Sequence, residues 1–379
     1  MTTSPFSAEH EELRESIRRF VAAELRPHAS EWEDARWFPD DVFSRMAQLG
    51  FLGLKYPEAY GGEGGDHLHD AVLVEELARC GSGGLAAGIG AHVGIATPPV
   101  WKFGTEDQKQ RYLAPAIAGE RIAALAITEP GAGSDVAALR TRAQRVDGGW
   151  LVNGEKTYIT NGVRAHFLVT AVQTTAQGGH HGISFLIVDR QEGVTSAKLE
   201  KLGWHASDTA TIAFEDVFVP DENLLGAEHE GFKLIMANFQ WERLIMALGA
   251  VAGMQAAVDR TLAFARERTA FGRPLTGHQA IRHKLVDLAT TVHTCRCVTH
   301  DALARFHAGE EPVREVTMAK LVTQRAAFDV MDACLQIHGG AGYMREYEIE
   351  RMARDARLGP IGGGTDEVMR EILGKALGI

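Results

Sequence analysis

Cysteine is scarce in this sequence: Cys80, Cys295, Cys297 and Cys334 are the only four among 379 residues. So thin a supply excludes a disulfide-framed fold and points to a reduced, intracellular setting. Cys295 and Cys297 lie two apart in an apolar helical pattern, facing different sides of it, and read as structural. Positive charge is in deficit as well. Lys and Arg number 39 against 50 Asp and Glu, a net charge of -11, which argues against nucleic-acid affinity and against attraction to an anionic membrane surface. A long unbroken apolar run is also missing. The N-terminal "MTTSPFSAEHEELRESIRRF" carries early acids and no stretch of signal-peptide length. The segment 232–264 is interrupted by Glu242, Arg243, Asp259 and Arg260, which reads as a buried helix and not a membrane span. The expectation is a cytoplasmic protein with no membrane insertion. Neither G-x-G-x-x-G nor a P-loop is found, nor an internal repeat or low-complexity linker.

What is present divides into three textures. Residues 1–120 read as an N-terminal α-helical domain: Leu13, Ile17, Phe20 and Val21 recur at helical spacing, and "FPDDVFSRMAQLG" opens on a capping signal and closes on Gly50. Across 121–230 the period changes to two. "RIAALAIT", "WLVNGEKTYIT", "HFLVTAVQ", "GISFLIVD" and "TATIAFEDVFV" have strand lengths, and Asn153-Gly154 is a hairpin-turn signal. No helical pattern separates these strands, so an antiparallel, β-barrel-like middle domain is expected over a doubly wound sheet. From 231 to 379 helices return at 231–267, 278–307, 312–338 and 366–377, lengths that suit a C-terminal four-helix bundle. The fold class is mainly α with a central β domain.

Three stretches carry possible chemistry. "AITEPGAGSD", residues 126–135, follows a strand and packs hydroxyls, an acid and two glycines into a tight turn whose N–H groups suit carbonyl or phosphate oxygens. "KTYITNG", 156–162, sets Tyr158 and Thr160 on one face of a strand end. "GPIGGGTDEVMREI", 359–372, runs three glycines into a helix that Thr365 or Asp366 can cap. Alone, each is an ordinary turn or strand end. "QWERLIM", 240–246, adds Glu242 inside an apolar helix, where a carboxylate is costly unless paired or functional; a salt bridge to Arg243 or an exposed position are the plain alternatives. His67, His69, His180 and His181 read as solvated loop residues and not metal ligands, His338 as a packing or cofactor contact, and Asp208 as shaping a loop.

Together these motifs resemble the acyl-CoA dehydrogenase family. "AITEPGAGSD" and "YITNG" look like its two flavin-side signatures; "RERTAFGRPLTGHQAI", 266–281, and "QIHGGAGYMREYEIERMARDAR", 336–357, are similar to its C-terminal ones, in the same order. The resemblance spans essentially the whole chain. It implies FAD-dependent α,β-dehydrogenation of an acyl-CoA, with electrons passed to an electron-transfer flavoprotein, in a homotetramer. By the same resemblance Leu125, Ile127, Thr128, Gly133 and Ser134 would contact the flavin, with Ser134 also on the pantetheine side. Tyr158 would pack on the ring and Thr160 would lie near N5. Arg268, Phe271 and Gln279 would come from a neighbouring subunit; Gln336, Gly339 and Gly340 would cradle the adenosine half, and Thr365 and Glu367 would complete the site. Many members place their catalytic Glu where this chain has Gly363. The isovaleryl- and long-chain-type members instead carry it on the preceding long helix, in a Glu-Arg-Leu context, which implies Glu242 as base. Gly363 would then offer its N–H to the thioester oxygen, with Gln240 and Arg243 on the substrate side. Two other functions fit the same residues: a dehydrogenase of acyl groups on a carrier protein, or a non-catalytic flavin-binding homologue. No metal is implied.

Overall fold

The computed structural model describes residues 4–379. Its N-terminal part is helical, and short polar side chains start the helices. Ser7, Asp66 and Ser82 accept from first-turn N–H groups of the helices Ala8–Phe20, His67–Leu77 and Gly83–Gly90. His67 and His69 therefore belong to a helix and not to a loop. The His69 ring returns a bond to the Asp66 N–H, closing a capping box with His where Glu or Gln would signal one in sequence. His67 packs on Trp241 and Phe306, with ring centroids 4.8 and 5.0 Å away, and burial pulls its pKa down to about 4. His180 and His181 are exposed, as read from sequence.

The middle of the chain forms one sheet: β1 (Ala123–Ala126), β2 (Arg142–Val146), β3 (Gly149–Ile159), β4 (Phe167–Gln173), β5 (Ile183–Asp189), β6 (Val194–Lys198), β7 (Ala210–Pro220) and β8 (Leu224–Leu225). The order is β6-β7-β3-β2-β4-β5-β8, with β1 also on β4. Most pairings are antiparallel; β1–β4 and the single β2–β4 pair are parallel. Along β4 the residues Phe167, Val169 and Ala171 join a core shared with the N-terminal helices and the start of the long helix. Leu168 and Val172 join a second core with Trp150, Val152, Ile212 and Phe214 of β3 and β7. Both faces of β4 are thus buried, which explains its continuous apolar run. Among the described residues β6 and β8, at the two ends of this order, are not paired to each other, so the sheet is not a closed barrel.

The Asn153-Gly154 turn expected from sequence is not a turn. These residues sit within β3 at a register shift, with Gly154 at φ 147° against Thr141 and the Asn153 side chain bonded to Asp216. The hairpin turns at Asp147-Gly148, where Gly148 has φ 72°. Two Asx-Gly signals lie within one strand length, and cross-strand burial of Trp150 and Val152 selects between them.

The C-terminal part has helices Gly231–Glu267, Gln279–His307, Val313–His338 and Asp366–Leu377. Val251, Met254 and Val258 of the first, Leu285, Leu288 and Val292 of the second, and Val330 and Cys334 of the third share one buried cluster. Between the first two helices, β9 (Thr269–Ala270) and β10 (Arg273–Pro274) form a small antiparallel ribbon. Among the described residues no helix is long and apolar enough to cross a membrane. All four cysteines are free.

Candidate active site

The turn after β1 is pinned from within. Glu129 N–H and Ala132 N–H donate to each other's carbonyls at 3.2 and 3.1 Å. The Glu129 carboxylate accepts from the N–H groups of Arg140 (2.6 Å) and Thr141 (2.9 Å) and from Lys156 Nζ (2.8 Å). Lys156, wholly buried, also donates to Ile127 O at 3.0 Å, and Thr157 N–H donates to Thr128 O at 2.8 Å. Burial lowers the Lys156 pKa to about 8 while Glu129 opposes that shift. The result is a turn locked to β3 with Gly133 and Ser134 exposed; a Cβ on Gly131 or Gly133 would touch nothing. Such an open backbone face admits a flat ligand.

Beside it β3 ends in backbone strain. Tyr158 and Asn161 have φ of 60° and 62°, uncommon for residues with a Cβ and costing about 1–2 kcal/mol each. Asn161 is held by a bond from Nδ2 to Gly88 O at 2.8 Å, and Asp208 accepts from Val163 N–H and Arg164 N–H at 3.0 and 2.9 Å. Asp208 thereby holds the segment after β3. The enforced conformation leaves Tyr158 70% exposed, with Thr160 half-buried next to it.

The second half of the site lies on the long helix. Glu242 is 9% exposed and, among the described residues, forms no ion pair. Its Oε1 accepts a hydrogen bond from Asn238 Nδ2. Burial pushes its carboxyl up to about 7, against the lowering pull of that bond and of Arg243. Gln240 Oε1 and Arg243 Nε are buried without partners, which marks a polar surface shaped for something else. The glycine loop crosses this face. A Cβ at Gly363, whose φ is 63°, would lie 2.4 Å from Sδ of Met246, one turn beyond Glu242. A Cβ at Gly364 would lie 4.0 Å from Arg243 Nη2. Lys320 clamps the loop from behind, donating to Gly359 O at 3.0 Å and Gly364 O at 2.5 Å. Thr365 caps the last helix by accepting from Val368 N–H at 3.3 Å.

Three family models match the chain: the acyl-CoA dehydrogenase N-terminal domain over residues 7–120, the middle domain over 124–217 and the C-terminal domain over 229–378. The chain belongs to the acyl-CoA dehydrogenase family. It is 39% identical to a probable acyl-CoA dehydrogenase of Bacillus subtilis, covering 97% of this chain and 98% of that one. It is 36% identical to the mitochondrial isovaleryl-CoA dehydrogenase of Solanum tuberosum, covering 99% and 92%. The solved acyl-CoA dehydrogenase of Geobacillus kaustophilus superposes with a TM-score of 0.97 at 39% identity, over all of both chains. The protein is accordingly an FAD-dependent oxidoreductase of the acyl-CoA dehydrogenase class.

Within this acyl-CoA dehydrogenase Ile127 and Thr128 are tied through their carbonyls to Lys156 and Thr157, the residues just before Tyr158, and the Gly363–Gly364 loop lies against Met246 and Arg243 of the helix that carries Glu242. Gln336, Gly339 and Gly340 lie exposed at the end of helix Val313–His338, where a Cβ on either glycine would meet nothing. His338, by contrast, is a packing residue, stacked on Phe264 at 4.2 Å. Glu367 is exposed in the first turn of the last helix. Arg268, Phe271 and Gln279 stand apart on or beside the exposed ribbon; Phe271 is 97% exposed at φ 52°. Among the described residues no hydrogen bond joins those three to the turn after β1.

Sequence reasoning missed Glu129, Lys156, Asn238 and Lys320. One signal was available for Lys320: it lies on the stripe Val316, Thr323, Ala327 that is buried along its helix, where a lysine needs a reason. His10, Asp66 and His69 bring ligand atoms within 4.8 Å of one another. These are capping contacts: His10 Nδ1 meets Ser7 Oγ at 2.7 Å and His69 Nδ1 meets Asp66 Oδ1 at 2.9 Å.

Proposed function

We propose that Glu242 is the base that removes the α proton of the acyl thioester. The observation that carries this reading is a buried carboxyl without an ion pair, one helical turn from the residue that meets the Gly363 loop. An α proton beside a thioester is weakly acidic, so a carboxylate raised to about 7 by desolvation is better matched to it than a solvated one near 4.5. As charge develops on the thioester oxygen, the Gly363 N–H donates to it from a loop that Lys320 holds in place. Gln240 and Arg243, with unpartnered buried atoms, orient the substrate. FAD, when bound, accepts the hydride that leaves the β carbon. The α C–H electron pair becomes the new C=C bond, and the product is the trans-2-enoyl thioester.

The open turn at Gly133 and Ser134, with Leu125, Ile127, Thr128, Tyr158 and Thr160, fits the flavin ring; Gln336, Gly339, Gly340, Thr365 and Glu367 fit the remainder. Arg268, Phe271 and Gln279 complete a neighbour's site, which their exposure and distance in connectivity support. That sharing requires an oligomer, and by likeness to the family the oligomer is a homotetramer. The exposed Val286, Met318 and Val322 on two bundle helices offer it apolar surface. An electron-transfer flavoprotein receives the electrons. Four free cysteines accord with a reducing cytoplasm. Residues 1–120, 121–230 and 231–379 serve as the three domains.

The test is Glu242→Gln in the FAD-loaded enzyme, mixed anaerobically with acyl-CoAs from butyryl to palmitoyl and with isovaleryl-CoA. Flavin bleaching falls about a hundredfold or more while FAD and substrate still bind. Bleaching at the wild-type rate with every thioester rules out Glu242.

A further inference from the structure

Asn238 lies one turn before Glu242 on the long helix and is 8% exposed. Its Nδ2 donates to Ile95 O at 3.2 Å and to Glu242 Oε1. A backbone carbonyl can only accept, so the orientation of the amide is determined by Ile95, and its second hydrogen is left for Glu242. The Ile95 carbonyl belongs to a π-helical turn, Ala91–Ala96, a local widening that turns carbonyls outward from the helical ladder. Val93 O in the same turn accepts from Lys55 Nζ at 3.2 Å and from Thr97 Oγ1 at 3.2 Å. Gly94 lets this turn lie against the long helix: a Cβ there would sit 2.9 Å from Cδ1 of Ile245. The wide turn, the glycine and the asparagine thus form one device that ends on the carboxyl.

We propose that Asn238 is a positioning residue for the base, holding Oε1 of Glu242 so that Oε2 is the oxygen presented to the α proton. This rests on the reading of Glu242 as base. An amide N–H bonded to Oε1 favours the ionised carboxyl and competes with a proton there. It also removes rotational freedom about the terminal torsion of Glu242, which is broad and roughly two-fold in the absence of a partner. The device therefore acts on both the protonation state and the aim of the carboxyl.

Other groups around the pair leave this role to Asn238. Arg243 is the charged residue that acts on Glu242 from its own helix. From the π-helical turn, His92 is engaged with Ala116 O and Ala123 N–H at 3.0 Å each, and burial keeps it neutral with a pKa of about 4. Lys55 and Asp70 are paired to each other, and Lys55 and His67 both lie on Trp241. Lys320, on the adjacent helix, is not among the groups that act on Glu242; burial and the nearby Arg243 lower its own pKa to about 8.

The experiment compares wild type, Asn238→Leu, Asn238→Asp and Glu242→Gln as FAD-loaded enzymes. The probe is the thioester that bleaches the wild-type flavin fastest in the butyryl-to-palmitoyl and isovaleryl panel. Wild-type reduction rises with pH as Glu242 ionises. In Asn238→Leu the rise moves up by about one pH unit, because a bond to the charged form is lost. The limiting rate above that rise falls about tenfold through lost aim, and KM changes less than kcat. Asn238→Asp is nearly isosteric and places a second acid against the first, so its rise moves further up. A readout without turnover is the pH at which Glu242→Gln stops gaining melting temperature over its parent; in the Asn238→Leu background that pH is higher. Rates and profiles that overlay wild type in both Asn238 variants, with Glu242→Gln inactive, overturn the positioning role alone. Wild-type reduction by Glu242→Gln overturns the base assignment beneath it.

Discussion

Gly363 is the position where a side chain is excluded twice. Its φ of 63° is left-handed, and its ideal Cβ would stand 2.4 Å from Sδ of Met246. The backbone term costs a residue with a Cβ about 1–2 kcal/mol. Overpacking against Met246 adds about 1–3 kcal/mol, less if the flexible thioether swings away. Gly363→Ala should therefore destabilise the FAD-loaded enzyme by about 2–5 kcal/mol. Adding Met246→Ala removes the clash but not the strain. A double-mutant cycle on the two changes should then return a favourable coupling of about 1–3 kcal/mol. The same geometry bears on relocating the base. Glu242→Gly with Gly363→Glu brings a carboxylate to the helix face from the loop, and should recover part of the lost flavin reduction. The triple variant with Met246→Ala should recover more, because the new Cβ then has room. Stability comes from denaturant midpoints of the FAD-loaded protein and activity from anaerobic stopped-flow bleaching. Additive stabilities, with no extra recovery in the triple variant, would show that the loop does not lie against Met246 and would refute the geometry linking Gly363 to Glu242.

The buried carboxyl has a signature in stability. Its folded pKa of about 7 lies above the ordinary 4.5, so its contribution is most favourable below pH 4.5 and is lost as pH rises toward 7. Glu242→Gln should therefore be about 3 kcal/mol more stable than wild type at pH 8 and nearly equal at pH 4, measured by thermal or denaturant unfolding; an equal gain at both pH values contradicts the burial argument. Lys156→Met leaves the Glu129 carboxylate buried without its cation, a change of about 3–5 kcal/mol that should loosen the turn and lower the FAD-to-protein ratio on purification; full occupancy would show that the pair does not support the flavin-side turn. Arg268→Ala should weaken FAD retention without unfolding the bundle, because the exposed guanidinium would serve a neighbour's pyrophosphate; a monomeric wild-type enzyme on sizing would remove the basis for that expectation.

How far each feature could be read depends on whether its cause is local. The bundle helices were legible nearly to the residue, since 231–267 matches Gly231–Glu267 and 366–377 matches Asp366–Leu377. Their long apolar-rich runs and, for the last helix, the Thr365 cap and the Gly378 terminus are short-range properties. The strands with continuous apolar runs were legible too. β2 and β6 were not: their residues are mostly exposed, so hydrophobic pattern carries no signal and pairing alone makes them strands. Asn153-Gly154 misled because turn propensity is local, whereas register is decided by which side chains reach the core.

By itself the sequence determined the order helix, sheet, helix, the family through its motifs, and the anomaly of an acid at 242 in an apolar helix beside a missing acid at 363. These are matters of residue type and spacing along one chain. Only the tertiary structure decided what surrounds Glu242. Asn238 bonded to Ile95 across 143 positions, Met246 under Gly363, Lys320 behind the glycine loop and Lys156 inside the turn at Glu129 are contacts between elements. Burial and partner geometry set the charge state of a carboxyl, and neither exists until those elements pack together.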